Sequence, residues 1–94
     1  MPCICDFDGI MIYMYYNDHM PPHFHAFYGE YEAIILISTL TVDRGEFPNT
    51  KLKLVHKWAK LRKKELMENW ELARQKVALN PIAPLDREVE KCHV

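Results

Sequence analysis

The chain-breaking residues are distributed unevenly, and that constrains the fold more than any other feature. All three glycines and four of the six prolines precede residue 49, whereas residues 49–76 contain neither type. Glycine and proline interrupt regular structure, glycine through its conformational freedom and proline through its fixed φ and missing donor. The first half is therefore cut into pieces of strand length, and the second is free to run as helix. A chain of 94 residues has material for one core, which both halves must share. This predicts an α+β domain over residues 1–85, a small antiparallel sheet of three to four strands packed against one long or two shorter C-terminal helices, with a charged tail over 86–94.

Residues 9–16 (GIMIYMYY) are apolar on both faces of the pleat, with Ile10, Ile12, Met14 and Tyr16 on one and Met11, Tyr13 and Tyr15 on the other. Such a strand is central or faces a partner. Asn17-Asp18 ends it, and Pro21-Pro22 imposes an extended connection. Residues 23–28 and 31–37 read as a hairpin about Gly29-Glu30, with glycine first as in a type II′ turn. A short fourth strand is expected over 39–42, ended by Asp43-Arg44-Gly45-Glu46. After Pro48, Asn49 or Thr50 is the capping candidate. Leu52, Val55, Ala59, Leu66, Met67, Trp70, Ala73 and Val77 then recur on one helical stripe, and Leu54, Trp58, Leu61 and Leu72 form a second line. A straight helix of that length spans roughly 40 Å, so it either projects or breaks near Arg62-Lys63-Lys64.

Composition narrows the function classes. Apolar residues make up 49% and charged residues 27%, as in ordinary globular domains. No apolar run approaches the ~20 residues of a membrane span, and the start lacks the pattern of a secretory leader, so a cytoplasmic protein is expected. The three cysteines, Cys3, Cys5 and Cys92, are odd in number, and Cys3 and Cys5 are too close to bridge comfortably. There is no P-loop, dinucleotide fingerprint or paired Cys-x-x-Cys.

His19, His23 and His25 lie within seven residues, next to Asp18. In a strand, His23 and His25 point to one face and Phe24, Ala26 and Tyr28 to the other. Stiffened by the two prolines, the loop can fold His19 back toward the pair. Three imidazoles beside a carboxylate suit zinc or another transition metal, with an open position for hydrolysis. Without metal, two imidazoles on one face suit general acid–base chemistry, as in RNA cleavage through the 2′-hydroxyl. A plainer alternative is that the histidines bond backbone groups and pin the corner.

The formal net charge of −1 conceals a partition. Residues 1–50 carry seven acids and one base, and residues 51–64 carry seven bases and no acid. Lys53, Lys57, Lys60 and Lys64 follow helical spacing and form one stripe. Such a stripe suits a phosphate backbone or an acidic protein surface. An ordinary solvated helix usually mixes signs.

The segment Tyr15-Tyr16-Asn17-Asp18-His19-x-Pro21-Pro22-His23-Phe24-His25-Ala26-x-Tyr28-Gly29-Glu30-Tyr31 resembles a small bacterial domain-of-unknown-function family whose members begin MP-x-I and carry YYNDHxPPHFHAxYGEY. Trp58-Ala59-x-Leu61, Glu68-Asn69-Trp70-Glu71 and Ile82-x-Pro84-Leu85 extend the resemblance over about residues 1–85. It implies a small prokaryotic protein commonly encoded beside a second small domain. Some members are described as DhiT-type toxins of type II toxin–antitoxin pairs, and others as transcriptional regulators. No catalytic residues come with the resemblance. The chain departs from the pattern at Cys3, at Cys5 and after Leu85, and its lysine run is denser.

Together these features lead to the expectation of a toxin-like component of a toxin–antitoxin module, acting on RNA and neutralised by a small protein partner. His23 and His25 would be the acid–base pair, His19 or Asp18 the orienting group, and Lys53, Lys57, Lys60 and Lys64 the phosphate or partner contact. One alternative is a non-enzymatic nucleic-acid- or protein-binding regulator. Another is a metal-dependent hydrolase with zinc on His19, His23 and His25. A homo-oligomer is compatible with each, and no membrane partner is expected.

Overall fold

The structure, a computed structural model, describes residues 3–16 and 19–85. Five strands, β1 (Cys3–Phe7), β2 (Ile10–Tyr13), β3 (His23–Tyr28), β4 (Tyr31–Leu36) and β5 (Val42–Glu46), pair antiparallel in chain order. Two helices follow, α1 (Asn49–Leu61) and α2 (Lys63–Arg74). The α+β class holds, with a larger sheet than the three to four strands expected. The tail read over 86–94 lies outside the described residues. No helix among the described residues is long and apolar enough to cross a membrane.

The sheet differs from the sequence reading at both edges. β1 is an added strand: Asp8 and Gly9, at φ 50° and 78°, reverse the chain so that Phe7 pairs with Ile10. Two positive φ values in a two-residue turn match the right-handed twist of the strands they join. The strand expected over 39–42 lies at Val42–Glu46 instead. Residues 36–41 close a tight turn, with Leu40 N donating to Leu36 O at 2.8 Å and Leu36 N to Thr41 O at 3.0 Å. Asp43, Arg44 and Glu46 look like loop residues, but charged side chains are ordinary on an exposed edge strand. Gly45, at φ +91°, lies against the Glu32 carbonyl where a Cβ would overlap. The β3–β4 hairpin is as expected, with φ positive at Gly29 and not at Glu30, and with Tyr28 paired to Tyr31.

Alternation along the strands makes one core face. Ile10, Ile12, Phe24, Ala26, Ala33 and Ile35 are buried there with Val55, Trp58 and Ala59 of α1 and Leu66 and Trp70 of α2. Trp58 is central: its ring lies 5.6 Å from Phe7 and 5.9 Å from Phe24, and its indole donates to Ala83 O at 2.8 Å. The helix breaks at Arg62 (φ −114°, ψ 19°), near the expected point. That break rephases the stripe, so Met67 is exposed, and Val77 lies exposed beyond the end of α2. Of the second line, Trp58 is core whereas Leu61 is exposed. Pro48 occupies the N-cap position with no side-chain cap bond, so neither Asn49 nor Thr50 caps α1.

Residues 80–85 return as a strap over the β1 edge. Ile82 N donates to Ile4 O at 2.8 Å. The Asn69 amide holds Asn80 at both backbone atoms, donating to its O at 2.8 Å and accepting from its N at 2.9 Å. The β1 edge is thereby covered, whereas every residue of β5 is exposed.

Candidate functional site

The second face of the sheet carries the histidines. The pairings place Tyr13, His25, Ile34 and Arg44 in one cross-strand row over β2 to β5. Aromatic contacts pave the β2 side: Tyr13 meets Phe27 edge-on at 5.3 Å, and Tyr15 meets His25 edge-on at 4.5 Å. His23 and His25 share this face as their alternation requires, with ring centroids 5.3 Å apart. Both are nonetheless buried, at 7% and 8% exposure. His19, exposed, stands 6.4 Å from His23 between centroids. Trp70 of α2 packs on His23 at 5.2 Å.

The two buried rings are fixed through their Nδ1 atoms. His23 Nδ1 lies 2.7 Å from Pro21 O. A carbonyl oxygen can only accept, so Nδ1 carries the proton and Nε2 is the basic nitrogen of the neutral ring. His25 Nδ1 lies 3.4 Å from Glu32 Oε2 across the β3–β4 ladder. An ionised carboxylate imposes the same tautomer there. An acceptor at one ring nitrogen fixes the tautomer and the orientation of the ring.

His23 and His25 line a pocket of about 110 Å³ with His19, Met20, Ile34, Asp43 and Arg44. Arg44 and Asp43 were not singled out in the sequence. They arrive because β5 pairs Arg44 with Ile34, which pairs with His25. Two strand spacings separate His25 from Arg44, about 10 Å at the backbone, within reach of a long guanidinium side chain. The only sequence signal was an isolated base in an acidic half, at a position read as a turn. Trp70, Glu32 and Tyr15 were missed because only the packing brings them to the histidines. Asp18 lies outside the described residues.

For metal binding, the described residues hold no group of three or more His, Cys, Asp or Glu side chains arranged to take an ion. Cys5 is no nucleophile candidate: burial above all, with the charges of Asp6 and Cys3, pushes its thiol up to about 12 against a smaller opposing effect of Arg62. Reactive thiols are shifted the other way.

The lysine stripe lies elsewhere. Lys53, Lys57 and Lys60 are exposed on α1, and Lys64 is exposed on α2 past the break. α1 buries its apolar side on the core face, so Lys53, Lys57 and Lys60 lie across the sheet from the histidine pocket. Two other lysines of the run are tied down. Lys51 donates to Asp8 O at 3.3 Å and sits 5.0 Å above the Tyr28 ring, and Lys63 donates to Ser38 O at 2.6 Å.

A family model described as a domain of unknown function, DUF4160, matches residues 9–71. The match takes in β2 to α1 and most of α2, and with them the histidine pocket. No curated protein and no solved structure matches the chain.

Proposed function

The chain belongs to the DUF4160 family, and we propose that it is the toxin-like component of a toxin–antitoxin pair, cleaving RNA at the histidine pocket and held in check by a small protein partner. The observation that carries the acid–base chemistry is the fixation of both buried histidines at Nδ1, by Pro21 O and by Glu32. The two Nε2 atoms then serve as the working nitrogens. His25 takes the proton of a ribose 2′-hydroxyl while Glu32 holds its tautomer. The O2′–P bond forms as the P–O5′ bond breaks, and His23, entering as the imidazolium with Nδ1–H on Pro21 O, donates its Nε2 proton to the leaving oxygen and returns to the neutral ring. The products are a 2′,3′-cyclic phosphate and a 5′-hydroxyl. Arg44, the cation lining the pocket, contacts the non-bridging oxygens.

The test is purified protein on end-labelled RNA in the presence of EDTA. Cleavage leaving cyclic phosphate ends is expected, falling by about 10²–10⁴-fold on His25→Ala or His23→Ala. Arg44→Ala should reduce kcat more than it raises KM. Expression alone should arrest growth, with relief on co-expression of the neighbouring small protein. No cleavage across a panel of RNAs, together with normal growth, overturns the reading.

A second reading rests on the lysine stripe. Its separation from the pocket suits a regulator that binds nucleic acid or protein without turnover. Salt-sensitive binding, lost in a Lys53→Glu/Lys57→Glu/Lys60→Glu variant and intact in the histidine variants, would favour it.

A further inference from the structure

We propose that the cleft between β5 and α1 docks an extended, acidic segment of a partner protein, which adds a strand to β5. The cleft is separate from the histidine pocket, and either proposal can fail without the other.

Leu40, Thr41 and Val42 form one wall, and Leu52, Lys53 and His56 the other, around a volume of about 450 Å³. That is within the ~300–1,000 Å³ of ordinary ligand clefts. Leu40, Val42 and Leu52 supply its aliphatic lining, and Val42 is 37% exposed. The strand wall is stiff: two backbone bonds close the 36–41 turn, and the Thr39 and Thr41 hydroxyls pair at 2.7 Å. Leu40 is held at φ 60° with its side chain packed against the core. The left-handed region disfavours a leucine by roughly 1–2 kcal/mol, so the packing overrides a local preference at this wall.

The edge chemistry points to a polypeptide. The β1 edge is covered by the strap, but β5 is exposed at every residue, and its outward amides and carbonyls offer a ladder that only another strand can complete. Leu40, Val42 and Leu52 accept alternate aliphatic side chains of that strand, which a phosphate backbone does not carry. The charge then selects the partner. Lys53 and His56 border the cleft, Lys60 follows one turn beyond His56, and residues 47–64 contain no acid. Of the two acids on β5, Asp43 lines the histidine pocket instead, and Glu46 lies at the far end of the strand from the cleft, paired with Glu32. A basic rim beside an aliphatic cleft and a free edge fits an extended segment with aliphatic anchors among Asp and Glu.

The probe is a fluorescein-labelled peptide alternating Leu or Val with Glu over about eight positions, an ordinary strand length, titrated with the full chain at low salt. Saturable binding is expected, with NMR shifts concentrated at 40–46 and 49–56. Lys53→Glu/Lys60→Glu should weaken it by at least about tenfold. Val42→Lys should weaken it similarly, with an unchanged circular dichroism spectrum confirming the fold. A His23→Ala/His25→Ala protein should bind the peptide as the parent does, which separates this outcome from the fate of the acid–base reading. The proposal is overturned by absent binding, by equal binding of a peptide carrying Lys in place of Glu, by shifts mapping elsewhere, or by displacement with a single-stranded RNA oligonucleotide.

Discussion

The two faces of the sheet are made from the same strands, one residue out of step. Phe24 and His25 are neighbours in β3, both nearly buried, and they do opposite work. Phe24 packs on Trp58 under α1, while His25 lies beside Tyr15 and Glu32 on the face that α1 does not cover. One face gains its burial from both helices, and the other mainly from its own aromatic and aliphatic neighbours, with Trp70 of α2 reaching His23. The second is thus nearly dry but still accessible, the setting in which a polar side chain can be both positioned and used.

The sharpest way to break this comparison is to truncate both residues. Phe24→Ala removes a ring from the sealed face and should cost about 3–5 kcal/mol of unfolding free energy by urea titration. His25→Ala should cost less, roughly 1–2 kcal/mol, because its losses include a long hydrogen bond to Glu32 and the ring contacts with Tyr15 and His23 rather than a close-packed core ring. Equal losses would mean that the histidine face is as much core as the other.

A smaller effect is expected at the strap. Asn69 is 1% exposed and holds both backbone atoms of Asn80. Asn69→Ala removes two part-buried bonds to the Asn80 backbone and should destabilise by about 2 kcal/mol. Amide exchange should rise at Ile82 and along β1, while β4 and β5 stay protected. Uniform exchange across the sheet would show that the strap does not guard the β1 edge specifically.

The smallest effect concerns pH. The folded Cys5 thiol stays protonated up to about 12 from an ordinary value of 9.0. Between those values the native state binds more protons than the unfolded chain, so stability falls as pH rises through the window. Below about 9 both states hold the proton and the contribution is flat. Cys5→Val should therefore lessen the loss of stability between pH 9 and 11 relative to the parent. Identical slopes would place the thiol in water.

Much of this was legible in the sequence because it is local. The β3–β4 hairpin followed from Gly29 and from alternation on either side. The helix break followed from a stripe that loses its apolar residues at Arg62-Lys63-Lys64. That His23 and His25 share a face followed from the strand period alone. The edge strands were harder. β1 has no clear alternation, and the Asp43-Arg44-Gly45-Glu46 run of β5 has the composition of a turn. Both become strands because a central, doubly apolar β2 and the β4 ladder recruit them, a non-local effect that overrides local preference.

By itself the sequence determined the class of the fold, the partition into an acidic strand half and a basic helical half, and the pairing of two histidines on one pleat face. These depend on the periods of strand and helix and on where glycine and proline fall. Only the tertiary structure decided what meets those histidines: Pro21 O and Glu32 at the Nδ1 atoms, Trp70 behind His23, and Arg44 from the far edge. It also decided that Lys53, Lys57 and Lys60 lie on the other side of the sheet. Such meetings depend on strand order and on which face a helix covers, and no spacing along the chain encodes either.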